Sequence, residues 1–199
     1  MPRRVGKRLI PHALTLLRVP LGVAFLLVSP LDYPRGQILQ AAILALAAAS
    51  DYLDGRLARS FGTVGAFGKW ADPLTDAIFF LFVFLSFRAA GLMPLFLLIL
   101  FVVRETAQHA LVRPLSVRLG VELGARPAGK LKTGLQVVGT AGVIAMGAAH
   151  AGGAMPRGAL VTASAVTLSV IVAVSLASLA FYVAPLIAAG RSRERGAGS

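Results

Sequence analysis

Four aspartates lie close together in a chain that is otherwise strongly apolar. Asp51 and Asp54 are three positions apart, Asp72 and Asp76 are four positions apart, and a glycine-rich stretch separates the two pairs. If the pairs lie on helices, each spacing places both carboxylates on one helix face. Carboxylates near lipid are unfavourable unless they hold a cation or a proton, which makes this cluster the candidate working site.

The chemistry that such a cluster favours is divalent-metal binding. Several ionised carboxylates in a small volume repel one another, and bound cations remove that repulsion. Ligands that are all oxygen, with no His or Cys among them, favour Mg²⁺ or Mn²⁺ over zinc. A pair of such ions commonly stabilises the attacking and leaving oxygens when phosphorus is the reacting centre. We therefore expect two divalent ions, Mg²⁺ or Mn²⁺, beside a phosphorylated substrate.

Residues next to the acids agree with a phosphorylated substrate. Gly55 and Ala58 are small, so a flat group could approach the helix backbone closely. Arg59 has the planar guanidinium that binds phosphate through two parallel hydrogen bonds. Gly65 and Gly68 keep the connection between the two acidic pairs free of bulk.

The composition excludes several classes of protein. Of the 199 residues, 57% are apolar, which is too many for an ordinary soluble domain, and there is no cysteine for disulfides or thiolate metal sites. The formal net charge is +12, but the basic residues alternate with apolar runs and do not form one polar face. This distribution argues against nucleic acid and favours anionic phospholipid or a phosphorylated substrate as the partner.

Long apolar runs predict an all-α integral membrane protein with six transmembrane helices. The runs cover residues 11–29, 37–58, 71–90, 92–112, 131–150 and 160–189. Lys and Arg concentrate before the first run, in alternate connections and after the last run, so the positive-inside rule predicts that both termini are cytoplasmic. The expected organisation is one domain over residues 1–189, with a basic juxtamembrane leader at 1–10, followed by a disordered basic tail at 190–199.

This predicted topology brings the two acidic pairs together. The second span would end, and the third would begin, on the cytoplasmic side, so Asp51 and Asp54 would meet Asp72 and Asp76 there. We therefore expect a multi-pass protein of a bacterial inner membrane, with a site that opens to the cytosol and the inner leaflet.

The residues around the aspartates resemble the signature of the CDP-alcohol phosphotransferases. The matching pattern is Asp51-x2-Asp54-Gly55-x2-Ala58-Arg59-x8-Gly68-x3-Asp72-x3-Asp76. The resemblance covers the whole chain, because that family also has a six-helix core with this segment on its second and third helices. It implies a homodimeric enzyme that moves a phosphatidyl group from a CDP-linked lipid, such as CDP-diacylglycerol, to a small alcohol and releases CMP.

The resemblance also implies roles for individual residues. Asp51, Asp54 and Asp72 would ligate metal, and Asp76 would both contact metal and take the proton from the acceptor hydroxyl. The residues that would bind the CDP-lipid are His12, Thr15, Gly55, Ala58, Arg59, Gly65 and Gly68.

The expected acceptor is glycerol 3-phosphate. The opening segment IPHALTLLRVPLGVAFLL, with Thr15 and Arg18 on one face, resembles the family branch that uses this acceptor. Within that branch, the acceptor phosphate would be bound by Arg104, Lys130 and Lys132. For Arg104 a second interpretation is open, namely a buried partner for an acid such as its neighbour Glu105.

Two departures from that branch leave other functions open. His12 stands where relatives usually have Asn, and Ala77 stands where a Lys often follows the last aspartate. Phosphatidylglycerol (as in a cardiolipin synthase), serine and inositol phosphate are therefore alternative acceptors. A cation transporter is a more distant alternative, because transporters usually bind ions near the bilayer midplane, whereas these acids are predicted at one surface.

Overall fold

The structure, a computed structural model, is helical throughout its described regular elements. The backbone is described for residues 3–28, 34–60, 66–121 and 127–197, and the side chains for residues 15–28, 34–53, 72–121 and 129–192. The elements in chain order are α1 (Arg3–Val28), α2 (Arg35–Ser60), α3 (Ala66–Ala89), α4 (Leu95–Thr106), a π-helical segment (Ala107–Val112), α5 (Arg113–Leu119), α6 (Pro127–Ala151) and α7 (Arg157–Ala197). The predicted all-α fold is confirmed for this part of the chain.

Several of these helices have the length and composition of membrane spans. Within the described residues, four stretches meet both criteria: Arg35–Leu53, Leu95–Leu119, Gly129–Ala151 and Arg157–Ser192. A shorter apolar helix covers Thr15–Val28. Large apolar side chains are exposed along these helices, as expected for surfaces that face lipid. The number of six spans and the cytoplasmic location of the termini stay predictions.

The domain bounds, including the leader at 1–10 and the disordered tail at 190–199, stay predictions, but helices extend into both terminal segments. The last helix, α7, continues to Ala197. The first helix, α1, begins at Arg3 and runs without interruption to Val28. The physical reason is similar in both places. Each residue added to an existing helix closes a further hydrogen bond, and Arg and Glu are good helix formers.

Close packing of α1 against α3 depends on a glycine. A Cβ atom on Gly22 would lie 3.2 Å from the Phe79 Cα atom and 3.0 Å from a ring carbon of Phe82. The missing side chain therefore lets the two helices approach each other. About one turn earlier on each helix stand Arg18 and Asp76, so the same approach brings this pair within reach.

A cluster of aromatic rings packs α1 against α3, and α3 against α4. Phe25 of α1 packs edge-to-face on Phe79 and Phe87 of α3, with ring centroids 6.5 and 6.0 Å apart. Phe84 of α3 and Phe101 of α4 are 4.7 Å apart in the same geometry. All five rings are buried, so they fix the spacing of α1, α3 and α4.

Candidate active site

Three helices meet at one guanidinium group. Arg18 of α1 donates from one terminal nitrogen to Asp51 Oδ1 of α2 at 2.7 Å, and from the other to Asp76 Oδ1 of α3 at 2.8 Å. The Arg18 side chain is 1% exposed, whereas the Asp51 and Asp76 side chains are 50% and 30% exposed. The two carboxylates therefore converge on a buried cation and are still accessible from outside the protein.

A third aspartate joins this junction through α1. Thr15 lies three residues before Arg18 on the same face and donates its hydroxyl to Asp72 Oδ1 at 2.8 Å. Asp72 is one turn from Asp76 on α3, and Asp51 faces them from α2. We define these side chains, Thr15, Arg18, Asp51, Asp72 and Asp76, as the aspartate site.

The donors of the aspartate site fit a hard divalent cation in their chemistry. Its carboxylates supply only oxygen, and two of them, Asp51 and Asp76, converge on Arg18 and are partly exposed. Among the described side chains, however, no group of three or more acidic or histidine residues is placed to hold a metal ion. Asp54, the fourth predicted ligand, lies outside the described side chains. The donor set fits a metal, and the coordination itself stays a prediction.

A second charged cluster is buried between α4, α6 and α7. Glu105 Oε1 accepts a hydrogen bond from Arg104 at 2.9 Å and a short hydrogen bond from Lys132 Nζ. The other oxygen, Oε2, lies 3.8 Å from Nε2 of His109 in the π-helical segment. The Glu105 side chain is 9% exposed and that of Arg104 is 3% exposed. We call these four residues the Glu105 network.

Arg104 is fully engaged within the protein. Its Nε donates to the Ser175 carbonyl oxygen at 3.0 Å, and one terminal nitrogen donates to Ser178 Oγ at 2.9 Å, both on α7. Together with the bond to Glu105, each of the three guanidinium nitrogens has an acceptor, as a buried guanidinium requires. These contacts are the ones expected of a buried partner for Glu105, the second interpretation of Arg104, and the phosphate contact stays a prediction.

The Glu105 network lies beside the aspartate site. The Lys132 ammonium is attracted by Asp76 as well as by Glu105. Arg113, which follows the π-helical segment, is attracted by Asp72 and Glu105. Charges in such partly desolvated surroundings interact more strongly than in water. An anionic group bound near the acids would therefore meet cations from α5 and α6.

Comparison with known proteins identifies the family to which this arrangement belongs. A sequence model described as CDP-alcohol phosphatidyltransferase matches residues 8–188. The chain belongs to this family. Membership confirms the resemblance carried by the aspartate pattern, and it favours the phosphatidyltransferase class of enzyme over a cation transporter.

Individual members of the family are similar over parts of their length. The chain is 29% identical over 147 residues to CDP-diacylglycerol–glycerol-3-phosphate 3-phosphatidyltransferase of Bacillus subtilis, covering 68% of the chain and 76% of that relative. It is 34% identical over 134 residues to the probable phosphatidylglycerophosphate synthase of Mycobacterium tuberculosis, covering 65% and 62%. It is 31% identical over 99 residues to cardiolipin synthase (CMP-forming) of Streptomyces coelicolor, covering 48% and 46%. The matched segments thus cover less than two thirds of two of these three relatives.

Several residues predicted from the family pattern lie outside the described side chains. Those with a described helical backbone but no described side chain are His12, Asp54, Gly55, Ala58, Arg59 and Gly68, and Gly65 falls between the described segments. Their roles stay predictions. Two predicted acceptor contacts are described: Lys130 is exposed at the start of α6, and Lys132 is mostly buried in the Glu105 network.

Two residues matter more in the structure than in the sequence prediction. Arg18 was noted only for its position on the Thr15 face, although a charge inside the apolar run LTLLRVPLG is a signal for a buried partner. Glu105 was considered only as a partner of Arg104, and its contact with Lys132 joins residues 27 positions apart. The sequence offers no periodic signal for that second contact, because it depends on how α4 packs against α6.

Proposed function

We propose that this protein transfers a phosphatidyl group from CDP-diacylglycerol to glycerol 3-phosphate and releases CMP. The observation that carries the proposal is the convergence of Asp51, Asp72 and Asp76 on α1, in a chain that belongs to the CDP-alcohol phosphatidyltransferase family. Acids gathered at a helix junction of an apolar protein need a function that offsets their desolvation, and binding divalent cations that in turn hold a diphosphate group would supply one.

Asp76 is the proposed general base. Its carboxylate takes the proton of the acceptor hydroxyl, and the acceptor oxygen then attacks the β-phosphorus of the CDP-lipid. A bond from the acceptor oxygen to phosphorus forms, the bond from that phosphorus to the CMP oxygen breaks, and CMP leaves with the electron pair. The 2.8 Å bond from Arg18 holds one oxygen of the base in a fixed orientation, which supports a positioned proton acceptor.

A pair of divalent ions, Mg²⁺ or Mn²⁺, is the proposed cofactor. Asp51, Asp54, Asp72 and Asp76 would hold the ions, and when bound they supply charge neutralisation for the diphosphate. Arg18 keeps two of these acids together by balancing part of their mutual repulsion. Thr15 holds Asp72 through its hydroxyl, so α1 orients the acids of both neighbouring helices.

The proposed contacts with the two substrates come from different parts of the sequence. The family pattern supports binding of the CDP moiety by Gly55, Ala58, Arg59, Gly65 and Gly68, with His12 and Thr15 on α1. The acceptor phosphate would bind to Lys130 and Lys132 at the start of α6, as the family resemblance implies; Lys130 is exposed there, and Lys132 is held by Glu105. Arg104 would act indirectly, since it holds Glu105 and Glu105 holds Lys132.

The choice of acceptor rests on the names of the relatives and on the positive charge of Lys130 and Lys132. The Bacillus subtilis and Mycobacterium tuberculosis relatives are named for glycerol 3-phosphate transfer or for phosphatidylglycerophosphate synthesis. A phosphate on the acceptor gives the basic residues of α6 an anionic partner. The second candidate acceptor is phosphatidylglycerol, which the similarity to a cardiolipin synthase favours.

We further propose the arrangement of the protein in its membrane. Six spans would be formed by α1, α2, α3, the continuous rod Leu95–Leu119, α6 and α7. The basic connections would place both termini and the aspartate site on the cytosolic side of a bacterial inner membrane. From the family resemblance, we also propose that the protein forms a homodimer.

The deciding experiment measures CMP release by the purified full-length protein. It would be supplied with CDP-diacylglycerol and Mg²⁺ or Mn²⁺, and glycerol 3-phosphate, phosphatidylglycerol, serine and inositol phosphate would be compared as acceptors. Metal-dependent CMP release that is fastest with glycerol 3-phosphate supports the proposal. Release that requires phosphatidylglycerol would assign the second candidate, and ion flux into vesicles without CMP release would point to a transporter.

A further inference from the structure

Four buried polar side chains on α6 and α7 differ from their neighbours in their hydrogen bonding. Gln136 and Thr140 are one turn apart on α6, and Ser164 and Ser175 are about three turns apart on α7, so each pair shares a helix face. All four residues are at most 2% exposed. The Gln136 amide nitrogen and the three hydroxyl oxygens have no hydrogen-bond partner in the part of the chain that the structure describes. We call these four residues the polar seam.

Other hydroxyls of α7 are satisfied within the helix itself. Thr167 and Ser169 donate to carbonyl oxygens four residues earlier, at 2.9 and 2.7 Å. The same kind of carbonyl is within reach of Ser164 and Ser175, but their hydroxyls are not placed to use it. A buried hydroxyl without a partner is unfavourable, and such groups in proteins usually bind either the chain or ordered water. The polar seam therefore indicates a partner other than the chain itself.

The packing of α6 on α7 brings Gln136 opposite Ser175. The two helices are joined by a short turn and run antiparallel, and a Cβ atom on Gly139 would lie 2.5 Å from the Ile171 Cδ1 atom. Gln136 lies about one turn before Gly139, and Ser175 lies about one turn after Ile171. Because the helices run in opposite directions, these two steps lead to the same level on the facing surfaces. The unpartnered amide and hydroxyl groups therefore lie across the interface from each other.

Arg104 of α4 supplies a third polar group at this level. Its Nε donates to the Ser175 carbonyl oxygen, and its terminal nitrogens donate to Glu105 and Ser178. Each terminal nitrogen of a guanidinium carries a second N–H group, so Arg104 has donors beyond these three described bonds. A buried water typically makes about two to four hydrogen bonds. The Gln136 amide, the Ser175 hydroxyl and Arg104 together offer that number of partners.

We propose that the polar seam binds ordered water, and that one water molecule bridges the Gln136 amide, the Ser175 hydroxyl and Arg104. This water accepts hydrogen bonds from the amide and the guanidinium, and it donates one to the hydroxyl oxygen. A metal cation does not fit the same position, because the amide and the guanidinium would direct N–H groups at it. The water joins α6 to α4 and α7 beside the Glu105 network, so part of the contact between these helices is made through solvent.

The direct test is an experimental structure of the full-length protein at a resolution where ordered waters are visible. A density peak is expected about 3 Å from both the Gln136 amide nitrogen and the Ser175 hydroxyl oxygen. The peak should be lost from the double variant Gln136→Met, Ser175→Ala, which keeps the Ser175 carbonyl position that accepts from Arg104. A direct bond between Gln136 and Ser175, or a space between them without density, would overturn the proposal. Replacement of the peak by bromide in bromide-soaked crystals would identify an anion and would also overturn it.

A double-mutant cycle tests the bridge in detergent and requires no turnover. Gln136→Met and Ser175→Ala each remove one partner of the water, so each should destabilise the protein. Their effects on the unfolding equilibrium constant should fall short of additivity by about tenfold, because either substitution alone already breaks the bridge. Ser169→Ala is the matched control: its hydroxyl bonds its own helix, so its effect should add to that of Gln136→Met. Single substitutions that stabilise the protein, with additive effects, would indicate a dry, unpaired contact and would contradict the proposal.

Discussion

The aspartate site and the Glu105 network are inverse arrangements of charge. In the first, the buried cation Arg18 lies between two partly exposed carboxylates. In the second, the buried carboxylate Glu105 lies between Arg104 and Lys132, and neither cation is more than 14% exposed. The carboxylates of the first are accessible to a ligand, whereas the charges of the second are mainly used to join helices.

The two arrangements should respond differently to substitution, one mainly in turnover and the other mainly in stability. A buried ion pair stabilises little in net terms, but removing one partner is strongly destabilising because an uncompensated charge is left behind. A partly exposed carboxylate can be neutralised with a smaller structural cost, because water still reaches it. We therefore expect substitutions of the partly exposed acids in the aspartate site to affect mainly turnover, and substitutions of Glu105 to affect mainly folding.

The largest effect is expected from Asp76→Asn. The amide keeps the size of the side chain and a hydrogen-bond acceptor for Arg18, but it cannot take the acceptor proton. CMP release should fall by about 10²–10⁴-fold, the usual contribution of a positioned general base. Turnover would be measured at saturating concentrations of both substrates, and the melting temperature should fall less than that of Glu105→Leu, because Arg18 keeps Asp51 as an ionised partner. Near-normal turnover would remove Asp76 from the role of base.

The next largest effect is expected on stability, from Glu105→Leu. Two buried cations would lose their shared acceptor, and the free energy of unfolding should fall by about 3–5 kcal/mol. The additional substitution Lys132→Met should recover part of this loss, because it removes one of the unpaired charges. Unfolding would be followed in detergent, with Arg35→Leu as the control for an exposed charge. A Glu105→Leu protein as stable as that control would contradict the assigned structural role.

A smaller effect is expected from Arg18→Lys, which tests the junction itself. Lysine keeps the charge, but one ammonium cannot reproduce the planar fork that reaches Asp51 and Asp76 together. Loss of one charged hydrogen bond should reduce stability by about 1.5–3 kcal/mol, and turnover should fall as the two acids separate. Arg88→Lys is the matched control, since Arg88 is exposed and makes only a long contact to the Met93 carbonyl oxygen among its described hydrogen bonds. If the two substitutions changed stability and turnover equally, Arg18 would not be needed to hold Asp51 and Asp76 together.

Much of the fold follows from features that can be read locally in the sequence. The apolar runs predicted the positions of the helices, because burial of apolar surface in lipid or protein does not depend on which helices are neighbours. Helix ends were less predictable: α5 extends to Leu119, beyond the predicted limit of 112, and α7 extends through polar residues to Ala197. The π-helical segment Ala107–Val112 has no composition signal of its own.

The site was predictable where its residues are close in sequence. The spacing of Asp72 and Asp76 indicates a shared face, and the topology argument brought Asp51 to the same end of the bundle. The bond between Arg18 and Asp76 spans 58 positions and depends on Gly22, whose missing side chain allows α1 to approach α3. Contacts of this kind come from packing, which a single sequence does not specify by period or spacing.

The smallest effect is expected from Lys130→Ala, and it sharpens the contrast between the two lysines of α6. Lys130 is exposed, so its loss leaves no buried unpaired charge and should not affect stability, whereas Lys132 is held by Glu105. If Lys130 binds the acceptor phosphate, the KM for glycerol 3-phosphate should rise about tenfold, the equivalent of one charge-assisted hydrogen bond, while the KM for the CDP-lipid stays constant. Arg35→Ala is the control, because Arg35 is an exposed cation at the start of α2, at the other end of that helix from Asp51. An equal rise in both KM values would place Lys130 outside the acceptor pocket, and the basic start of α6 would then serve only to orient the helix in the membrane.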